Sequence, residues 1–280
     1  LEHCGTDDLA KDIEIMREAI GASKMSVYGV SYGTKVGSVY GTMFPDKVHR
    51  LILDGDMGSD ADVENFANWV GESTEAVWTG LAESCDNSVM AGGRPEMVCP
   101  AGPGVTAKVL QLFKDGDDDS TSLSMFYALM TVIYDFGAHC AAQLMQCVAD
   151  LHEAKNSSAC HFYPDSAENV CRVTVSKHSP DYQPRWQGIQ GSTVIGAVLG
   201  MDLAGRLTED HFVNWWRATK ENQPLGITRS LMTTIAVGSW PALPRPQPPA
   251  GDPVVAPLVI GNLFDGQTPY KMAQRMLESF

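Results

Sequence analysis

The stretch MSVYGVSYGTKVGSVYGTMFPDKVHRLIL, Met25 to Leu53, decides the fold. Two short and almost wholly apolar runs, Met25–Val30 and Val48–Leu53, flank a helical stretch from about Tyr32 to Met43. That helix must stop at Phe44-Pro45-Asp46, because a proline cannot continue it. Two apolar strands joined by a helix predict a right-handed βαβ unit in a parallel sheet covered on both faces. Gly29-Val30-Ser31-Tyr32-Gly33 falls on the corner between first strand and helix, as a G-x-S-x-G pattern. A chain that turns sharply from strand to helix strains its corner residue and pushes that side chain out over the sheet edge. Gly29 and Gly33 are expected because a Cβ at either would collide with the neighbouring strand or helix. Ser31 then reads as an exposed nucleophile, against the alternative of a solvated serine in a structural turn. The backbone N–H of Tyr32, at the helix start, faces negative charge developing on a carbonyl under attack.

Outward from this unit, residues 6–20 carry apolar residues at helical spacing, with Thr6 or Asp7 as the N-cap and Gly21 as the stop. Beyond Asp56 the pattern changes. Up to about residue 250 there are helical patterns at Asn65–Leu81, Thr106–Phe113, Ser122–Asp150 and Thr208–Thr219, without regular strand–helix alternation. Pro241–Pro253 reads as a proline-rich tether. A strand over Val254–Ile260 and a helix over Tyr270–Phe280 complete the series. Three sheet strands are expected in all, and a sheet of that size leaves apolar edges unpaired. Asp265 falls just past the last strand, at the carboxyl edge where open α/β sheets keep their chemistry. An aspartate before glycine is equally a common turn former.

The chain has 280 residues, of which 44% are hydrophobic, enough for one large or two modest cores. A formal net charge of −14 argues against nucleic acid as a partner, since phosphates demand a basic face. No run of 18 or more apolar residues exists to cross a membrane. Seven cysteines include no CxxC pair and no tight metal-site spacing, so no metal site is read. Six of them lie between Cys85 and Cys171, which points to disulfides and an oxidising compartment, with buried free thiols as the alternative. A Cys85–Cys99 bridge would close a short loop, worth on the order of 3 kcal/mol in the chain-entropy model. Asn156-Ser157-Ser158 is a glycosylation sequon and suggests the same compartment.

Tyr28-Gly29-Val30-Ser31-Tyr32-Gly33-Thr34, then Tyr40, Phe44-Pro45 and Leu53-Asp54-Gly55, resemble the proline iminopeptidase and tripeptidyl aminopeptidase branch of the α/β-hydrolases, in its secreted microbial form. Pro257–Gly261 with Asp265 and Thr268-Pro269 is similar to that branch's acid-bearing segment, and Glu83–Pro100 and Trp240-Pro241 are similar to parts of its cap. The resemblance implies an α/β-hydrolase core with a partial parallel sheet and a large, mainly helical cap inserted. The core would comprise 1–56 and 251–280, and the cap 57–250. Ser31 would be the nucleophile and Asp265 the acid of a catalytic triad. The substrate would be a peptide with a free N-terminus, and no metal or organic cofactor is implied. Asp202, in the late cap, would hold a substrate ammonium, or else serve as a surface or helix-capping residue.

The departures shape the expectation too. In this fold the triad runs Ser, Asp, His in chain order, yet no histidine follows Asp265; His3, His49, His139, His152, His161, His178 and His211 all precede it. Only a helix precedes the first strand, where the family has several strands and a glycine-rich loop. The 280 residues are therefore expected to be a segment of a longer, secreted serine exopeptidase, with missing chain segments needed to complete the sheet. The alternatives are an esterase or small-amide hydrolase on the same fold, and a catalytically inert fragment.

Overall fold

The computed structural model describes residues 3, 5–58, 62–90, 99, 101–115, 137–154, 162–165, 170–173, 198–203, 205–238 and 254–280. Helix α1 (Thr6–Ala19) leads to β1 (Met25–Val30), α2 (Tyr32–Met43), a 3-10 turn (Pro45–Lys47) and β2 (Val48–Asp54). Then come α3 (Val63–Met90), α4 (Val105–Asp115), α5 (Gly137–Ala154), β3 (Phe162–Asp165) and β4 (Val170–Val173). The last elements are α6 (Glu209–Asn222), α7 (Ile227–Gly238), β5 (Leu258–Ile260) and α8 (Tyr270–Ser279). The chain divides into two compact units: 1–74, 185–219 and 229–280 in one, 75–184 and 220–228 in the other. The tether expected at Pro241–Pro253 and the sequon at Asn156 lie outside the described residues.

The first unit is built on a parallel sheet of order β1-β2-β5. Val30 pairs with Asp54, and Asp54 with Ile260, so the three strands end level at one edge. Val48, Leu51 and Leu53 of β2 pack with Val39 and Tyr40 of α2, Ala10 of α1 and Met276 of α8. A second cluster joins Met57, Val63, Phe66, Trp69 and Val70 to Met272 of α8. Its Met272 and Met276 lie on one face of α8, four residues apart, so that helix serves both clusters.

The opposite sheet face departs from expectation. Tyr28 and Val30 of β1 are 63% and 54% exposed, and Leu258 and Ile260 of β5 are 56% and 38% exposed. Residues 28, 52 and 258 share one cross-strand row and 30, 54 and 260 the next, so these side chains share one face, apolar except at Asp54, whose carboxylate accepts from Tyr28 Oη (2.9 Å). One face of the sheet is covered and the other open, because the described helices that pack on it all lie on the side of Leu51 and Leu53.

A buried polar network fixes α1 to α2. Both Arg17 Nε (2.8 Å) and Tyr40 Oη (2.8 Å) donate to Glu14 Oε2, and Arg17 Nη2 donates to Glu14 Oε1 (2.6 Å). The bidentate guanidinium, with the tyrosine, holds the Glu14 carboxyl down to about 2. The N-cap of α1 differs from the expected Thr6 or Asp7. Gly5 occupies that position without a side-chain bond, because the carboxylate that closes the helix comes from Asp202, far along the chain.

In the second unit, Val77, Trp78 and Ala82 of α3, Val105 and Val109 of α4, and Leu144, Met145 and Val148 of α5 form one core. Asp86 caps α4 by accepting from Val105 N (2.8 Å) and Thr106 N (3.2 Å). Cys85 and Cys99 are disulfide-bonded, with Cα atoms 5.0 Å apart, and Cys147 is also in a disulfide. The antiparallel pair β3–β4 is a correction to the sequence reading, which expected no strands in this region. Four-residue strands are too short to show the alternation that marks a strand in sequence.

Two stability measurements follow from these contacts. A group with a depressed folded value stabilises above its unfolded value and loses that contribution as pH falls through the folded one. Urea unfolding should therefore show stability dropping between about pH 4.5 and about pH 2, and Glu14→Gln should flatten that slope. Replacing Cys85 and Cys99 together by serine should destabilise the second unit by about 3 kcal/mol, read as a lower unfolding midpoint for Trp78 fluorescence.

Candidate active site

Ser31 joins β1 to α2 with φ 55° and ψ −123°, and among the described residues it is the one non-glycine with positive φ. Such a conformation costs on the order of 1–3 kcal/mol and persists only where surroundings enforce it. Here the enforcement is explicit. Ser31 N donates to Asp54 O at the end of β2 (3.0 Å), while Ser31 O accepts from Thr34 N (2.9 Å) and Thr34 Oγ1 (2.6 Å). The corner is tight enough that a Cβ on Gly29 would lie 2.1 Å from Gly33 O. Gly29 is needed for the reason the sequence suggested. Gly33 is not: a Cβ built there meets nothing within 4 Å, because it is the backbone of residue 33 that fills the space beside residue 29.

The Ser31 side chain is exposed and makes no capping bond to α2. The first turn of α2 also carries no acidic residue. The N–H groups of a helix's first turn lack intrahelical acceptors, and Tyr32 N–H is the first of them in α2.

The acid loop reaches the same corner through β2. Gly55, at φ +68°, donates to Ile260 O (2.9 Å), linking the end of β2 to β5. A Cβ on Gly55 would lie 3.0 Å from Thr268 Oγ1 and 3.9 Å from Ser31 N. Thr268 Oγ1 in turn donates to Asp265 Oδ2 (2.9 Å). Ser31 N thus bonds to the turn at Asp54 O, the neighbouring Gly55 leaves no room for a side chain beside Thr268, and Thr268 bonds to the Asp265 carboxylate. Asp265 Oδ1 accepts from Gln267 N and Thr268 N, both at 2.9 Å, and Asn262 Nδ2 lies 3.4 Å from Oδ2. Ser73 Oγ donates to the Asp265 carbonyl (2.5 Å). These bonds fix the carboxylate's direction.

The described histidines lie elsewhere. His49 Nδ1 is 3.3 Å from Ser26 Oγ, at the amino ends of β1 and β2, the far edge of the sheet from Ser31. His211 Nε2 faces Glu64 Oε2 (2.9 Å), His152 Nε2 faces Gln111 Oε1 (2.9 Å), and His3 Nδ1 faces Asp8 Oδ2 (3.8 Å). The His139 side chain, His161 and His178 lie outside what is described. Asp202 is 5% exposed, and its two oxygens accept from Thr6 N and Thr6 Oγ1. Its carboxylate is engaged by the start of α1. Among the described residues no cluster of three His, Cys, Asp or Glu side chains is arranged for a metal ion.

The structure gives roles to residues that the sequence offered only as parts of a resemblance, Thr34, Gly55 and Thr268, and adds Ser73; these brace the corner and the acid loop. Asp56 is fully buried, with no hydrogen-bond partner for either carboxylate oxygen. Burial, reinforced by the nearby Asp54 charge, pushes its carboxyl up to about 7. The sequence offered only an Asp-Gly-Asp turn there, with nothing to show that its second carboxylate points inward.

Comparison with known proteins agrees with this architecture. Residues 2–92 match the family model described as the alpha/beta hydrolase fold. A tripeptidyl aminopeptidase of Streptomyces lividans is 44% identical over 62 residues, which are 22% of this chain and 12% of that relative. The serine protease Hip1 of Mycobacterium tuberculosis is 45% identical over 62 residues, with the same shares. A putative hydrolase of Escherichia coli, YuaR, is 30% identical over 93 residues, 30% of this chain and 19% of the relative. The chain thus spans a small part of the length of these relatives. With its parallel sheet, flanking helices and mainly helical insertion, it has the α/β-hydrolase fold.

Asp56 gives the site a testable pH signature. Its folded value lies above the ordinary 3.8, so the strain is absent below that pH and stability is lost as pH rises through about 7. Asp56→Asn should melt higher than the parent at pH 8 and no higher at pH 4. Equal melting temperatures at both values would show that the carboxylate has a partner.

Proposed function

We propose that this chain carries the nucleophile and acid of a secreted serine exopeptidase that removes short fragments from peptide N-termini. One observation carries the reading: an exposed, strained serine at a strand–helix corner, with an oriented aspartate loop packed against the same turn. Ser31 Oγ attacks the scissile carbonyl, and Tyr32 N–H donates to the oxyanion. The C–N bond then breaks, the serine proton leaves with the amine, and the N-terminal fragment stays as an ester on Ser31. Water hydrolyses that ester and returns the proton to Ser31. Asp265 orients the histidine that ferries the proton. That histidine comes from outside the described residues, since those placed in the structure are engaged elsewhere.

The names of the relatives, an aminopeptidase and a serine protease, favour peptide over ester substrates. The disulfides at Cys85–Cys99 and Cys147 favour an oxidising compartment. No described helix is long and apolar enough to cross a membrane. Among the described residues the sheet has one exposed face and unpaired outer strands, a surface on which further chain segments would complete the core.

A fluorophosphonate probe followed by peptide mass mapping tests the reading. The complete protein should take one adduct, on Ser31, and Ser31→Ala should take none and lose about 10⁴-fold or more of turnover. Peptide anilides with free N-termini should be cleaved in preference to N-acylated ones and to simple esters. Folded protein that takes no adduct would make the inert alternative correct, and preference for esters would move the activity to the other hydrolase class.

A further inference from the structure

The start of α1 is closed by a side chain 196 residues away, and that contact continues to the residue after Ser31. Thr6 N donates to Asp202 Oδ1 (2.9 Å), and Thr6 Oγ1 donates to Asp202 Oδ2. Thr6 is 2% exposed and Asp202 5% exposed, so both bonds lie out of water. Thr6 Oγ1 also sits 2.9 Å from Tyr32 Oη. An ionised carboxylate only accepts, and a threonine hydroxyl has one proton to give. With that proton committed to Asp202, Thr6 can only accept from Tyr32, so the tyrosine is the donor. The order is fixed: Tyr32 O–H to Thr6 Oγ1, Thr6 O–H to Asp202. Burial above all, and the negative charge of Asp202, raise the Tyr32 phenol above its ordinary value, against a lowering by its hydrogen bond with Thr6.

This run has a consequence at the corner. Tyr32 is the first residue of α2, and its own N–H is the donor placed beside Ser31. A tyrosine ring held at its hydroxyl end and at its backbone end leaves the intervening torsions little freedom. We propose that Thr6 and Asp202 are positioning residues, which hold Tyr32 and hence the peptide N–H that serves the oxyanion. The proposal rests on the role given to Ser31 and Tyr32 above. It also gives Asp202 a different task from the one its sequence position suggested. A substrate ammonium would have to share a buried carboxylate that Thr6 already engages at both oxygens, whereas acting through Thr6 requires no rearrangement.

The test uses the complete protein with Thr6→Val, Thr6→Ser, Asp202→Asn, Tyr32→Phe and the double variant Thr6→Val/Tyr32→Phe. Valine keeps the shape of threonine and removes the hydroxyl; serine keeps the hydroxyl. Thr6→Val and Tyr32→Phe should each lower kcat on the order of tenfold, as expected for displacing a positioned group. KM should stay within about twofold, the pattern of an interaction made in the transition state. Thr6→Ser should restore the rate, and the double variant should lose no more than either single one. Independently of activity, Tyr32 ionisation can be followed by NMR of ring-labelled tyrosine, assigned through Tyr32→Phe. It should titrate lower in Asp202→Asn than in the parent.

Additive losses in the double variant, or a Tyr32 titration unchanged in Asp202→Asn, would overturn the proposal. So would a kcat loss that Thr6→Ser does not rescue. A parent protein that never labels at Ser31 defeats the hydrolase reading and the oxyanion role with it. A Tyr32 titration that still shifts would then place the fault in the chemistry rather than in the hydrogen-bond run.

Discussion

The close approach of residue 29 to the backbone of Gly33 is the constraint from which the rest of the first unit follows. Only a glycine lets β1 turn into α2 within so few atoms, and the turn leaves Ser31 in a conformation that side chains rarely adopt. The strain is held by the sheet itself. Because β1 and β2 run parallel with Val30 opposite Asp54, the carbonyl of Asp54 lies where Ser31 N needs an acceptor. The next residue, Gly55, repeats the arrangement one strand over by donating to Ile260. Three parallel strands that end level therefore deliver a serine, an Asp-Gly-Asp turn and an aspartate loop to a single edge. Such carboxyl edges are where open α/β sheets bind and react.

Packing explains why this edge can stay exposed and still be ordered. Behind it, β2 presents Leu51 and Leu53 to α2 and α8, and the Glu14–Arg17–Tyr40 network fixes α1 against α2. The burial of these side chains, together with the hydrogen bonds at the corner, compensates the strain at Ser31. The acid loop is braced in the same spirit by Thr268 and Ser73, which satisfy Asp265 locally and leave its carboxylate oriented. Asp56 is the exception, a buried acid with no hydrogen bond, and it gives this edge a sensitivity to pH near neutrality.

What was legible in the sequence was local. The elbow shows because strand, corner and helix are contiguous from Met25 to Met43. The Asp265 loop shows because Asp265, Thr268 and Pro269 act within five residues. The parallel order of the strands followed from the βαβ rule. Contacts between distant residues were not legible. Thr6 and Asp202 are separated by 196 residues, and no pattern along the chain pairs them. Ser73 and Asp265 are 192 apart. Gly33 read like Gly29 because a motif does not say which glycine is approached and which does the approaching. The open sheet face was hidden because an apolar strand reads the same whether one side or both are covered. Strands β3 and β4 were too short to alternate visibly.

The backbone torsion of Ser31 tests the central claim most directly. Residual dipolar couplings of the protein, labelled at serine, report φ at this residue without reference to activity. The account predicts a positive φ, near the 55° of the structure. A negative φ, with Ser31 continuing α2 as an ordinary first helical residue, would remove the strained corner and with it the reason for placing a nucleophile there.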